Sequence, residues 1–125
     1  MTKRILIVDD EDDIRDIIQA ALEEFAGWWT ITANSGAEGL RLAKTETLDA
    51  ILLDISMPNM DGFQVYEALS ADRHTCQIPV IVLTAKALPR DQQQLAELNI
   101  AGVITKPFDP MTIWQTVAAI LGWII

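Results

Sequence analysis

One stretch constrains the fold more than any other: Ala50-Ile51-Leu52-Leu53-Asp54, followed closely by Met57-Pro58 and Asp61-Gly62. Consecutive apolar residues without alternation mark a strand covered on both faces, as in a parallel sheet flanked by helices. Asp54 stands where that strand ends, and the two turn-forming pairs behind it take the chain out of the sheet. A buried strand thus delivers one carboxylate to its carboxyl end, with a loop arching over it. In open α/β sheets that edge is where ligands bind.

The other segments fit the same plan. Ile5-Leu6-Ile7-Val8 is a second wholly apolar run, closed by Asp9-Asp10-Glu11-Asp12-Asp13, which offers N-cap and first-turn acids to a helix. Ile14, Ile17, Ile18, Ala21, Leu22 and Phe25 recur at three-and-four spacing as one apolar stripe, and Gly27 is placed to end it. Residues 28–33 alternate loosely and predict a strand, on which the adjacent Trp28 and Trp29 face opposite ways. Asn34-Ser35-Gly36 turns into a short helix carrying Ala37, Leu40 and Ala43, and Asp61-Gly62 opens one with Phe63, Tyr66 and Leu69 inward. Residues 78–83 predict a fourth strand, with Pro79 tolerable near its start. Pro89 suits the first turn of a helix through Leu98. Residues 101–105 predict a fifth strand, and Asp109-Pro110 caps a last helix with Met111, Trp114, Val117, Ala118 and Leu121 on one face. Five strands alternating with five helices predict an α/β fold, a parallel sheet sandwiched between two helical layers.

Composition narrows the function. A chain of 125 residues, half of them hydrophobic, is the size of one globular domain with a sizeable core. A formal charge of −9 argues against nucleic acid or an anionic membrane as direct partner and suits metal cations or a basic protein surface. Cys76 is the only cysteine, so no internal disulfide forms, as in a reducing cytoplasm. The apolar run after Lys3-Arg4 is too short for a signal peptide or a membrane span. A cytoplasmic single domain, without an output domain in this chain, is the expectation.

Carboxyl ends of parallel strands lie along one edge, so Asp9, Asp10, Asp54, Thr84 and Lys106 can converge. Crowded carboxylates repel one another and attract a cation, and hard oxygen ligands suit Mg²⁺. A lysine and a hydroxyl beside a carboxylate supply a point charge and a hydrogen-bond donor for phosphoryl oxygens. Aspartate can itself attack phosphorus to give an aspartyl phosphate. The set points to Mg²⁺-assisted phosphoryl transfer onto a carboxylate.

At this point the chain resembles a known family. Ile7-Val8-Asp9-Asp10-Glu11, Leu53-Asp54-Ile55-Ser56-Met57-Pro58, Met60-Asp61-Gly62, Leu83-Thr84-Ala85 and Thr105-Lys106-Pro107-Phe108 are similar to the receiver domains of two-component response regulators, in order and at family spacing. The resemblance implies a flavodoxin-like, doubly wound sheet of order 2-1-3-4-5. It makes Asp54 the acceptor of a phosphoryl group from a phosphohistidine on a sensor histidine kinase or phosphotransfer protein. It gives Mg²⁺ to Asp9, Asp10, Asp54 and the Ser56 carbonyl, with Asp9 acting through water. Thr84 becomes the switch hydroxyl, Lys106 the phosphate-pairing amine, and Lys106-Pro107 a cis bond. Many receivers carry an aromatic residue near the end of the fifth strand that swings inward on switching; here that position is Val103, which has no ring. Ser56 and Lys86, two residues beyond Asp54 and Thr84, flank the hydrolytic water in the family, and Lys86 is expected to alter the lifetime of the phosphorylated state.

Blander readings stand beside these. Asp9-Asp10 could serve only as helix-capping acids, Thr84 as a strand-end hydroxyl and Lys106 as a surface charge; their register with Asp54 is what sets them apart. Met57 and Phe108 read as packing around the loops, His74 as a solvated loop residue, and Asp91-Gln92-Gln93-Gln94 as a polar helix face. One histidine and one cysteine make no zinc set. On the last helix Ile113, Ile120 and Ile124 line a second side, with Trp123 and Ile125 beyond, which predicts a homodimer or a surface for a downstream protein target. The bland alternative lays that tail across the domain's own body. An enzyme with turnover on a separate substrate is not expected: a Mg²⁺-dependent aspartyl-phosphate phosphatase would carry its nucleophile on the first strand. The other rival is a degenerate receiver that docks partners without taking phosphate.

Overall fold

The computed structural model describes residues 2–85 and 89–123, with backbone alone at 89–91. Five strands, β1 (Arg4–Val8), β2 (Trp29–Ala33), β3 (Ala50–Asp54), β4 (Val80–Thr84) and β5 (Gly102–Thr105), form one parallel sheet of order β2-β1-β3-β4-β5. The helices are α1 (Asp12–Ala21), α2 (Gly36–Thr45), α3 (Gly62–Ala71), α4 (Pro89–Ala96) and α5 (Ile113–Leu121). The expected flavodoxin-like sandwich is therefore the observed one. Among the described residues no helix is long and apolar enough to cross a membrane.

Strand alternation sorts the core into two layers. Ile5, Ile7, Leu52, Leu83 and Ile104 face α1, the segment after it and α5, where Ile18, Leu22, Ile113 and Val117 meet them. Leu6, Val8, Leu53 and Val82 face the opposite way, against Leu42, Val65, Leu69 and Leu95 of α2, α3 and α4. Each fully buried leucine or isoleucine contributes about 1.5–3 kcal/mol, so β3, buried at every position, anchors the sheet at its centre.

Three helices depart from the sequence expectation in phase. After α1 the chain continues as a π-helical segment, Leu22–Ala26, before Gly27 ends it in the left-handed conformation at φ 69°. The wider turn rotates Phe25 out of the predicted stripe to 43% exposure, and Ile17 is similarly exposed, while Ile18, Ala21 and Leu22 stay buried. In α2 the buried face is Gly36, Gly39, Leu42 and Ala43; Ala37 is exposed and Leu40 half-buried. A Cβ at Gly39 would lie 2.8 Å from a Val8 methyl, so the backbone itself packs on β1, a contact apolar periodicity overlooks. In α3 Val65 takes the fully buried place beside Leu69, leaving Phe63 and Tyr66 half-buried.

In the described part of the last helix the bland alternative is the one observed, the tail lying on the domain's own body. Asp109 accepts the Met111 N–H in a turn, α5 begins only at Ile113, and Met111 is exposed instead of inward. Ile113 is 2% exposed in the core, Ile120 packs on the core beside Gly102, and Trp123 meets the buried Trp28 edge to face at 5.2 Å. The second apolar side is thus covered by the domain itself as far as the structure describes it; Ile124 and Ile125 lie outside the described residues. Trp29, the other member of the tryptophan pair, faces outward beneath the Arg4 guanidinium, 3.9 Å from its ring centre.

Candidate functional site

Strand register brings the acids together. Val8 pairs with Leu53, so Asp9 and Asp54 end neighbouring strands at one level; Thr84 pairs with Thr105, and Lys106 follows it. The Lys106 backbone N–H donates to the Thr84 carbonyl at 2.8 Å, and the Lys106-Pro107 bond is cis, as the resemblance implied. Alternation then separates the groups. Asp54 shares the α1/α5 side of the sheet with Leu52, whereas Thr84, one residue beyond Asp54's partner Leu83, shares the α4 side with Val82.

Asp54 is 2% exposed and Asp9 fully buried, while Asp10 and Glu11 are exposed. One carboxylate oxygen from each of Asp9, Asp10, Glu11 and Asp54 falls within 4.8 Å of the others. Lys106 Nζ stands among them, 2.9 Å from Asp9 Oδ2, 3.6 Å from Glu11 Oε1 and 3.7 Å from Asp54 Oδ1. Two backbone amides help: the Ser56 N–H donates to Asp54 Oδ1 at 3.1 Å and the Glu11 N–H to Asp9 Oδ1 at 2.9 Å. Arg15 donates to the Asp9 carbonyl at 2.9 Å, tying the end of β1 to α1. The Ser56 side chain is exposed.

Electrostatics follow from this crowding. Burial pushes the Asp54 carboxyl above its ordinary value, and the charges of Asp9 and Asp10 push the same way; the Ser56 N–H and the Lys106 ammonium oppose them. Burial works against the Lys106 ammonium, but its hydrogen bond to Asp9 and the charges of Asp54, Asp9 and Glu11 win, holding it above the usual lysine range. Among the described residues, the four carboxylates face the Lys106 ammonium and, at the edge, Arg15, and so outnumber the cations. The pocket's donor set is all oxygen, the composition a Mg²⁺ ion prefers.

The loop over Asp54 is held by shape. The Gly62 N–H donates to the Ile55 carbonyl at 3.2 Å, and a Cβ at Gly62 would lie 2.5 Å from Ile55 Cα and 2.7 Å from the Asp54 carbonyl oxygen. Asp61 caps α3, accepting the Gln64 N–H at 3.0 Å while the Gln64 side chain accepts the Asp61 N–H, a capping box. Met57 is buried and Phe108 half-buried against the core, as expected of loop packing.

The sequence-predicted set Asp9, Asp10, Asp54 and Lys106 is therefore brought together, with Thr84 buried one strand away. Glu11 and Arg15 were missed as members of the site; the acidic run after β1 hinted at Glu11, and nothing in the sequence singled out Arg15. Lys86 lies outside the described residues. Val103, 40% exposed, lines an open and mostly apolar groove of about 390 Å³ with Thr84, Leu95, Ile100 and Thr105.

Strand order, helical layers and an acidic carboxyl edge define a flavodoxin-like α/β domain. The chain belongs to the response regulator receiver domain family, which it matches over residues 5–118. Among its relatives, the alkaline phosphatase synthesis transcriptional regulatory protein PhoP of Bacillus subtilis is 40% identical over 97% of this chain, which spans 49% of PhoP. Protein PilH of Pseudomonas aeruginosa is 37% identical over 95% of this chain and 98% of its own length. Among solved structures, the Vibrio cholerae chemotaxis protein CheY4 superposes with a TM-score of 0.88 at 30% identity, over 96% of this chain and 99% of CheY4.

Proposed function

We propose that Asp54 accepts a phosphoryl group from a phosphohistidine on a sensor histidine kinase or phosphotransfer protein, and that the phosphorylated chain signals by presenting a changed surface to a downstream protein. The observation that carries this reading is the buried Asp54 carboxylate at the end of the central strand, 3.7 Å from Lys106 Nζ and walled by further acids. The rival phosphatase reading places its nucleophile on the first strand, which here supplies only the flanking Asp9 and Asp10. The net charge of −9 favours protein partners over nucleic acid.

An Asp54 carboxylate oxygen bonds to phosphorus as the phosphorus–nitrogen bond to imidazole breaks; the electron pair leaves with the imidazole nitrogen, which takes up a proton. Lys106 Nζ is one short side-chain movement from the incoming oxygens and offsets their charge. Asp9, Asp10, Asp54 and the Ser56 carbonyl are the groups that would hold Mg²⁺, with Asp9 acting through water; when bound, the ion neutralises phosphoryl oxygens and crowded carboxylates. The Ser56 N–H keeps one Asp54 oxygen fixed, leaving the other to react. Thr84, on the α4 side, links the occupied pocket to the Val103 groove and biases a two-state surface.

Intact-protein mass after incubation with acetyl phosphate and Mg²⁺ tests the reading. A single labile phosphate on wild type, absent without Mg²⁺ and absent in Asp54→Asn, is expected. No phosphate on wild type would leave a docking module that works without phosphorylation.

A further inference from the structure

We propose that Glu11 is a positioning residue: it draws the Lys106 ammonium, seated on Asp9, outward from Asp54 and so keeps the Asp54 carboxylate open to a divalent cation. The inference rests on the phosphoacceptor reading above and assigns a role to a side chain that reading does not use. Lys106 Nζ donates to Asp9 Oδ2 at 2.9 Å, and two further carboxylate oxygens flank it almost equally, Glu11 Oε1 at 3.6 Å and Asp54 Oδ1 at 3.7 Å. The flanking pair sits at different depths: the Asp54 side chain is 2% exposed and that of Glu11 62%. An ammonium on a flexible stem is a point charge without fixed direction, so it settles where the inward and outward pulls balance. Removing the outward pull lets Lys106, already bonded to Asp9, close on Asp54 as well and become the resident cation of both. Any metal must then displace it from the same oxygens.

Backbone geometry fixes Glu11 in this role. Its N–H is hydrogen-bonded by Asp9 Oδ1 at 2.9 Å, so the residue is anchored on the carboxylate whose other oxygen Lys106 uses. It is also the residue that precedes α1, with its own side chain unused in capping. The Glu11 chain is long enough to reach the ammonium from the outside; aspartate at the same position keeps the charge and loses the reach.

Calorimetric titration with MgCl₂ tests this in the full chain. Because an exposed ion pair is weak, Glu11→Gln is expected to loosen Mg²⁺ binding about two- to fivefold. Glu11→Asp is expected to behave like Glu11→Gln, and wild-type affinity in Glu11→Asp would overturn the proposal, since charge alone would then suffice. In a Lys106→Met background the Glu11→Gln loss should shrink by half or more on a logarithmic scale; a smaller reduction means that Glu11 acts on the metal directly, and the proposal fails. If Lys106→Met does not fold, the comparison of Glu11→Asp with Glu11→Gln decides alone. No Mg²⁺ binding by wild type would remove the site reading itself, and this proposal with it.

Discussion

The two sides of the pocket are built differently. On the α1/α5 side, Asp9, Asp54 and Lys106 are buried or half-buried, tied to one another by short polar contacts and to the backbone by the Ser56 and Glu11 amides. On the α4 side, Thr84 is buried but its neighbours Val103 and Thr105 are exposed along an open apolar groove. The contrast teaches that this chain fixes its charged chemistry with redundant contacts and leaves the adjoining surface thinly covered. On the proposed function, the first side would receive a phosphoryl group and the second would be where its arrival is felt.

The comparison breaks most readily at the glycines. Gly62→Ala pushes a Cβ into the backbone of Ile55 and Asp54, which cannot yield without moving the Asp54 loop, and should cost about 3 kcal/mol in urea unfolding. Gly102→Ala on β5 meets instead a side chain, the Ile120 γ2 methyl 2.8 Å away, which a small shift of α5 relieves; about 1 kcal/mol is expected. Equal losses would show that the backbone under the Asp54 loop gives way as readily as a side chain does.

Lys106→Met removes the ammonium that pairs with Asp9 on the acid side. By analogy with other preorganised charge-stabilising donors, it should slow phosphorylation of Asp54 by acetyl phosphate about a hundredfold, read by intact mass over time. A change within about threefold would show that Lys106 does not meet the phosphoryl oxygens.

Asp54→Asn sharpens the cost of the arrangement. Since burial and neighbouring acids raise the folded Asp54 carboxyl above 3.8, its contribution to stability is fully present below that pH and is lost as pH rises through the folded value. The metal-free Asn variant should therefore be more stable than wild type at neutral pH, with the advantage vanishing in acid. Paired urea midpoints at pH 7 and pH 3.5 check it; a variant less stable at pH 7 would contradict the assigned strain. Smallest of all, Val103→Tyr should change folding stability by no more than about 0.5 kcal/mol, since the site is exposed. Its phosphorylation rate should stay within about twofold of wild type if the α4 side takes no part in the chemistry.

Much of this was legible beforehand, for identifiable reasons. Buried parallel strands write themselves as unbroken apolar runs, so β1, β3 and β4 and the acids ending the first two could be read directly. Helix phase was harder. The reading of α2 followed Ala37 and Leu40, but Gly36 and Gly39 are the contact surface, because a residue with no side chain leaves no hydrophobic signal. Phe25 and the π-helical segment failed for a related reason: a single wide turn shifts the phase without any residue type announcing it. A second apolar side of the last helix was inferred as a docking face; within the described residues Ile113 is buried above the sheet and Ile120 is half-buried on it. At the site, the convergence of Asp9, Asp10, Asp54 and Lys106 was read in advance and the supports were not, since the Arg15 contact to the Asp9 carbonyl depends on tertiary placement alone.

The edge-to-face pair of Trp28 and Trp123 has a spectroscopic consequence. It lies at the amino-terminal edge, where Trp29 pairs with Arg4, a full strand length of about 15 Å from the carboxylates, with Lys3 poised 4.7 Å from the centre of the Trp123 ring. Emission from that pair therefore reports whether the turn after α5 is docked against the start of β2. It is blind by distance to what occupies the acidic pocket, so a tryptophan signal that moves with added phosphodonor would have to originate elsewhere or be carried through the whole sheet.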